Sequence, residues 1–356
     1  MDRARVNMKA AIFLGPEKME VREVPRPGCG DGEILIRVGA CAVCGTDVRI
    51  YYHGQRNVHP PHIIGHEIAG TIEELGTGVS GYDIGDRVIL VTSVGCGKCK
   101  YCVRGYQNLC VDTRAIGYFY QGGFAEYMAV PREAVQQGSV LKIPGELSFE
   151  QASIIEPLSC CINGQDYLKI EQGDVVAIFG AGPIGCMHTE LARASGASET
   201  ILIEVSPTRL DLARDFSPDL LIDAGREDPV ERVLEITDGE GADVVVVACS
   251  SPRAQQQALQ LTAKRGRISF FAGLPRGSSV VELDSNLIHY REISVFGAFA
   301  SYREQYIRAM TLVSSGKVRA ERFITHRFAL DDIVKAIETT KSGVGLKAVI
   351  GNEAQG

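Results

Sequence analysis

The sequence predicts an α/β protein of two domains, one built on a doubly wound parallel sheet and the other β-rich. Three observations carry this. The chain has 356 residues, more than one hydrophobic core usually serves. From about Gly173 to Ala298, continuous apolar runs alternate with helix-length stretches. Residues 8 to about 160 instead show short strands broken by Gly and Pro.

The apolar runs of the second region are "DVVAIFG", "ETILIEV", "DLLIDA", "ADVVVVAC", "GRISFFAG" and "EISVFGAF". They lack polar alternation, as expected where both faces of a parallel sheet are covered. Between them "PIGCMHTELARASG", "SPTRLDLARDF", "DPVERVLEITDG" and "PRAQQQALQLTAKRG" have helix length, and several close on Gly. Six strands joined by helical crossovers is the Rossmann plan. In the first region, "DGEILIRVGA" and "GYDIGDRVILV" read as antiparallel strands. Residues 1 to 7 read as an extension before a first strand at Lys9 to Phe13. The tail reads as a helix from Leu330 to Ser342 followed by one strand, both packing on the first domain.

Apolar residues make up 45% and charged ones 23%, with a formal charge of -7. An acidic chain of this composition is folded rather than disordered. It offers no basic face to a nucleic acid or an anionic membrane, which leaves small molecules and proteins as partners. The longest apolar runs are far too short to span a bilayer, and "MDRARVNMKAAIF" has no signal-peptide core. A cytoplasmic protein is expected. Its eleven cysteines cannot all pair internally, and a cytosol keeps them reduced.

"VVAIFGAGPIG" sets Gly180, Gly182 and Gly185, with Pro183 and Ile184 between the last two, in G-x-G-x-x-G spacing after a strand and at the start of a helix. The glycines permit a tight turn, close approach of backbone to a pyrophosphate, and tight helix–strand packing. Glu204 closes the next strand near the spacing of roughly 20 residues at which an acid bonds the adenosine ribose. A carboxylate there repels a 2′-phosphate, so NAD is favoured over NADP. Arg209, five residues on, is positioned to stack on adenine or pair with a phosphate.

"CGKCKYCVRGYQNLC" arranges Cys96, Cys99, Cys102 and Cys110 as C-x2-C-x2-C-x7-C. Four thiolates in one loop close a tetrahedron around structural zinc with no coordination position left open. A ferredoxin-type cluster calls for a gap of three and a following proline, and here the gap is seven and Val111 follows. A second set lies in "CAVCGTD" and "IIGHEIAG": Cys41 or Cys44, His66 and Glu67 are the ingredients of a catalytic zinc site with one open position. Cys41 with Cys44 as redox thiols, and His66 with Glu67 as an ordinary buried pair, are the competing readings of those residues.

In these motifs the chain resembles the zinc-containing medium-chain dehydrogenases, most closely their polyol branch, the sorbitol dehydrogenases and related sugar-alcohol and cyclitol enzymes. The zinc signature G-H-E-x2-G-x5-G-x2-V is met by Gly65, His66, Glu67, Gly70, Gly76 and Val79, and the agreement runs from "MKAAIF" through "CGTD", the cysteine lobe, "EPLS" and "GAGPIG" to the C-terminal "THRF" segment. The resemblance implies a GroES-like catalytic zinc domain over residues 1–160 and 299–356, and a Rossmann domain over 161–298. It implies two zinc ions per chain, the catalytic one on Cys44 and His66 with Glu67 or Glu156, Cys41 being structural. Glu156 of "EPLS" stands where alcohol-type members place a cysteine ligand, and Cys160 and Cys161 pack on the following helix. Thr46 takes the family's Ser/Thr position, where the hydroxyl relays the alcohol proton. The implied reaction moves a hydride between a secondary alcohol and NAD, in a homodimer or homotetramer joined through "EISVFGAF".

Two departures from the family pattern stand out. Arg49 occupies the place of a proton-passing histidine, and an arginine cannot accept a proton near neutral pH. Phe299, Ala300 and Ser301 stand where animal sorbitol dehydrogenases carry an Arg-Tyr pair, so strict identity with that enzyme is not expected. Tyr51, Tyr118, Phe119 and Phe299 are candidate pocket walls, and "RIYYHGQRNVHPPH" suits a polar sugar alcohol. A threonine-type dehydrogenase of the same superfamily is the runner-up, and a metal-depleted scaffold acting as a binding protein is the non-enzymatic alternative.

Overall fold

The computed structural model describes residues 7–275 and 277–351. The expected N-terminal extension lies outside them except for Asn7, which already belongs to the first strand. The chain divides into two compact units, residues up to Ser159 with those from Ser301 onward, and Cys160–Ala300.

The first unit opens with the antiparallel hairpin of β1 (Asn7–Gly15) and β2 (Lys18–Pro25). β3 (Ile34–Ala42) leads to α1 (Gly45–His53), and β4 (Glu67–Leu75) returns antiparallel to β3. β5 (Arg87–Leu90) follows, and the short strands β6 (Ser93–Val94) and β7 (Arg114–Ala115) bracket the cysteine lobe. Next come β8 (Tyr127–Val130), α2 (Arg132–Gln136), β9 (Val140–Lys142), α3 (Phe149–Ser153) and α4 (Ile155–Asp166). Ile34, Ile36, Val38, Ile68, Ile72 and Val88 bury one continuous core between these strands, consistent with β-branched side chains packing well on a pleated surface.

The second unit is a parallel sheet of six strands: β10 (Val175–Phe179), β11 (Glu199–Glu204), β12 (Leu220–Asp223), β13 (Ala242–Val247), β14 (Thr262–Phe270) and β15 (Ser294–Gly297). The spatial order is β12-β11-β10-β13-β14-β15. This is the 3-2-1-4-5-6 Rossmann order, whose reversal beside β10 places the ligand crevice at the carboxyl ends of the strands. The crossovers are α5 (Pro183–Ser195), α6 (Pro207–Ala213), α7 (Pro229–Ile236), α8 (Pro252–Leu261) and α9 (Ser285–Arg291). Two local expectations are corrected. The helix read through "TAKRG" stops at Leu261, because Thr262 pairs with Ala242 as the first residue of β14 and its hydroxyl caps the Ala258 carbonyl. α9 was not anticipated, since its seven residues lack a strong apolar period and none is buried.

The tail holds more than one helix and one strand. α10 (Arg303–Ser314) and β16 (Ile324–Phe328) precede α11 (Ile333–Ser342) and β17 (Lys347–Gly351), and a 3-10 turn occupies Leu330–Asp332, where the helix was expected to begin. β17 pairs antiparallel with β3 and parallel with β16, which ties the C-terminal segment into the seven-stranded sheet of the first unit. Among the described residues no helix is long and apolar enough to cross a membrane.

On α5, His188 is fully buried, its Nδ1 3.2 Å from Gln165 Nε2 and its ring edge-on to Phe271 at 4.7 Å. Burial pushes its pKa down to about 3. An unfolded histidine takes up its proton near pH 6.5, so below that pH the unfolded chain binds more protons and stability falls with falling pH. Urea unfolding of the second unit between pH 7.5 and 4.5 should show a loss of up to about 1.4 kcal/mol per pH unit from this group, and His188→Leu should flatten that part of the profile.

Candidate active site

At the end of β3 the chain runs through Val43 to Cys44, which caps α1. The Cys44 amide donates to Asp47 Oδ2 at 2.9 Å, and Asp47, wholly buried, turns Oδ1 toward His66 Nδ1 at 3.4 Å. That contact leaves Nε2 as the histidine nitrogen free to meet a metal, with a carboxylate orienting the ring from behind. Thr92 Oγ1 donates to the His66 carbonyl at 3.1 Å and fixes the backbone there. Ligand atoms of Cys44, His66 and Glu67 all lie within 4.8 Å of one another. Adjacent residues of a straight strand point to opposite faces; here Gly65, at φ 95°, turns the chain just before β4, and both side chains reach the cluster.

The donors fit zinc: a thiolate, an imidazole nitrogen and a carboxylate from separate segments. Beyond the Lys347 ion pair of Glu67 and the Asp47 contact of His66 Nδ1, these buried atoms have no hydrogen-bond partner among the described residues. Burial alone would lower the His66 pKa, yet Tyr118, Asp47 and Cys44 outweigh it and hold the value well above the ordinary one. The pocket therefore attracts positive charge. Cys41 lies wholly buried close by, and burial pushes its thiol well up, as befits a structural cysteine.

Lys347, the first residue of β17, is 4% exposed and forms an ion pair with the fully buried Glu67 while donating to the Val43 carbonyl at 2.9 Å. Burial opposes its charge, but Glu67 and Cys44 keep the ammonium above its ordinary pKa. The sequence reading missed this residue, although a lysine inside the apolar strand "LKAVI" was the available signal. Glu156, in the first turn of α4, is outside the 4.8 Å cluster, and its charge acts on Tyr118 and Lys347. Thr46 is half-buried in the first turn of α1, and Arg49 is exposed on the same helix.

Of the four aromatic candidates, Tyr118 alone packs on the cluster, with its ring centroid 5.3 Å from that of His66. Burial pushes its phenol pKa up, so it stays protonated and able to donate. Tyr51 belongs to the core of the first unit, against Tyr52 at 5.0 Å. Phe119 is exposed and packs under the Arg114 guanidinium, and Phe299 is exposed in the second unit.

In the cysteine lobe the sulfurs of Cys96, Cys99, Cys102 and Cys110 also lie within 4.8 Å of one another. Cys99 Sγ is 3.5 Å from that of Cys102 and 3.8 Å from that of Cys110. Tetrahedral zinc with bonds of about 2.3 Å separates its sulfurs by about 3.8 Å, whereas a disulfide needs about 2.05 Å. The lobe is thus shaped for a four-thiolate ion. Backbone amides on the Cys99 sulfur, that of Cys102 foremost, bring its pKa down to about 6.

In the second unit Gly180 has φ 99°, and a Cβ on Gly185 would sit 1.7 Å from the Gly180 carbonyl oxygen, so both must be glycine. In front of Gly182 the nearest atom beyond its neighbours is Arg209 Nη1 at 3.9 Å, which leaves room for a phosphate at the amino end of α5, where Pro183 and Ile184 form the first turn. Glu204 Oε2 accepts from the Ala181 amide at 2.9 Å, and Oε1 accepts from Val205 at 2.8 Å and Ser206 at 3.0 Å. Arg209 Nη1 is 3.9 Å from Glu204 Oε2. The carboxylate is thereby locked beside the glycine loop, with lone pairs remaining for a ligand hydroxyl.

A Rossmann unit with this loop and a β-rich unit with a Cys-His-Glu cluster define a metal-binding, dinucleotide-dependent dehydrogenase. Comparison with known proteins agrees. Residues 30–144 match the family described as alcohol dehydrogenase GroES-like domain, and residues 183–315 the family described as zinc-binding dehydrogenase. The L-threonine 3-dehydrogenase of Pyrococcus abyssi is 37% identical over 96% of this chain and 97% of its own. The sorbitol dehydrogenase of Bacillus subtilis is 32% identical over 93% of each. A solved structure described as a zinc-binding dehydrogenase of Sinorhizobium meliloti bound to NADP superposes with a TM-score of 0.90 at 32% identity, covering 97% of this chain and 99% of that one. The chain belongs to the zinc-containing medium-chain alcohol dehydrogenase family and is an NAD(P)-dependent oxidoreductase.

Removing Lys347 strands a buried carboxylate. Lys347→Met should therefore cost about 3–5 kcal/mol in chemical denaturation, and adding Glu67→Gln should restore most of it. A double variant no more stable than the single would show that the pair is not coupled.

Proposed function

We propose that the chain is a zinc-dependent dehydrogenase that oxidises a secondary alcohol carrying further polar groups, a polyol, cyclitol, aminocyclitol or sugar alcohol, with NAD as hydride acceptor. The observation that carries this reading is the convergence of Cys44, His66 and Glu67 within 4.8 Å. Zinc bound there supplies a Lewis acid that brings an alcohol's pKa toward neutrality, and the nicotinamide supplies the acceptor. Cys44 and His66 are the fixed donors, and Asp47 holds the histidine ring. Glu67, tethered by Lys347, supplies the carboxylate oxygen. Glu156, outside the cluster, would hold a polar group of the substrate or a water beside the metal, its charge reaching Tyr118 and Lys347. Thr46, two residues past Cys44, accepts the alcohol proton and hands it toward solvent, a route in which exposed Arg49 takes no part. Tyr118, a protonated phenol beside His66, donates a hydrogen bond to a second polar group on the substrate. A second zinc in the Cys96–Cys110 lobe is structural.

NAD is preferred because Glu204 places a carboxylate beside the loop and Arg209 is already opposite it. A homodimer or homotetramer is supported by β15, a largely exposed edge strand. Eleven cysteines with no disulfide among them suit a cytoplasmic location. Oxidation of L-threonine is the second reading, favoured by the 37% identity to the Pyrococcus enzyme.

Metal analysis and a panel assay decide between these. Two zinc ions per chain are expected, falling to one in Cys44→Ser. Polyols and cyclitols should be turned over faster than 2-propanol, and NAD should be used about tenfold better than NADP, a difference of about 1.4 kcal/mol. Faster turnover of L-threonine than of every polyol moves the assignment to the second reading, while one zinc and no turnover across the panel defeats both.

A further inference from the structure

We propose that the first unit carries a second small-molecule site, separate from the metal cluster, for a neutral, mostly apolar ligand bearing one hydroxyl or N–H group. A cavity of about 650 Å³ opens among the β1–β2 hairpin, the segment around His62 and β8. Met8, Ile12, Val24, Ile63 and Met128 form its apolar walls, and Cys44, His66 and Glu67 take no part in it. Its size is that of a small-molecule pocket and far exceeds the voids left by ordinary side-chain packing.

Among the polar lining residues, which include Arg22, Glu33, Tyr120, Gln121 and Glu133, His62 is the one with an unmet buried atom: it is 5% exposed, its ring has the Tyr120 backbone as a neighbour, and its Nε2 is buried with no hydrogen-bond partner among the described residues. A buried nitrogen left unmet costs about 1–3 kcal/mol. An organic hydroxyl or N–H meets that nitrogen and also brings carbon to cover the apolar walls. Burial also holds the imidazole pKa below its ordinary value, so the ring stays neutral and meets a neutral group. Arg22 at the lining is already paired with Glu20 at 2.6 Å, while Glu33 and Glu133 add negative charge, which disfavours an anion.

The histidine is held for the purpose. The Phe13 amide donates to the His62 carbonyl at 2.8 Å, the His62 amide donates back at 3.0 Å, and the Ile63 amide donates to Gln121 Oε1 at 2.7 Å. The segment ending at His62 was expected to suit a sugar alcohol as a whole, but His62 lines this cavity and is not part of the Cys44, His66 and Glu67 cluster; nothing in the proposed alcohol oxidation uses it, so the site goes beyond that reading.

The test uses the zinc-loaded full-length protein and N-phenyl-1-naphthylamine, a neutral fluorophore with one N–H. 4-Propylphenol serves as competitor, because its hydroxyl sits on a carbon without hydrogen and cannot lose a hydride. One saturable fluorophore site per chain is expected, displaced by 4-propylphenol and indifferent to saturating NAD. His62→Phe should weaken 4-propylphenol about tenfold, the worth of one hydrogen bond. Val24→Trp, on a half-buried hairpin position, should fill the cavity and abolish the site, and both variants should keep zinc content and turnover. Non-saturable binding, displacement by NAD, or equal affinity in both variants overturns the proposal. So does an absent site together with dissociation of the assembly by Val24→Trp in sedimentation, since a second copy would then fill the cavity. No readout depends on the substrate, so the alcohol assignment can fail without this one failing.

Discussion

The metal cluster depends on the pairing register of three strands. Ala42 at the end of β3 lies opposite Glu67 at the start of β4, so Cys44, two residues past one strand, and His66, one residue before the other, are neighbours despite the chain between them. β17 pairs with the other edge of β3 with Val349 opposite Ala42, and the same antiparallel count carries Lys347 to the level of Cys44. A slip of one residue in either pairing would turn these side chains to the opposite face, and the donors would part. The core of Ile34, Ile36, Ile68 and Ile72 specifies that register, because a slip would also expose it.

Charge balance explains why so many ionisable groups tolerate burial together. Cys44, Asp47 and Glu67 bring three acidic groups together, and the Lys347 ammonium answers them from β17. The same negative surroundings hold the His66 pKa up.

The glycine loop works on the same economy of backbone groups. Glu204 is both the end of β11 and a strut to Ala181 and to the start of α6, so this one acid shapes the loop. Substrate choice is a different matter. Threonine and sorbitol dehydrogenases are both more than 30% identical to this chain over nearly its whole length, so overall identity does not select the substrate.

The sequence by itself determined the elements whose rules are local. Continuous apolar runs marked all six strands of the parallel sheet, G-x-G-x-x-G marked the loop, and C-x2-C-x2-C-x7-C marked the lobe, since each depends on neighbours within a few residues. Tertiary structure alone decided the rest. Tyr51 went to the core and Tyr118 to the cluster, Thr262 left its helix for β14, and Lys347 crossed the length of the chain to meet Glu67. These outcomes rest on strand pairing between distant segments, and local periodicity does not encode which strand will lie beside which.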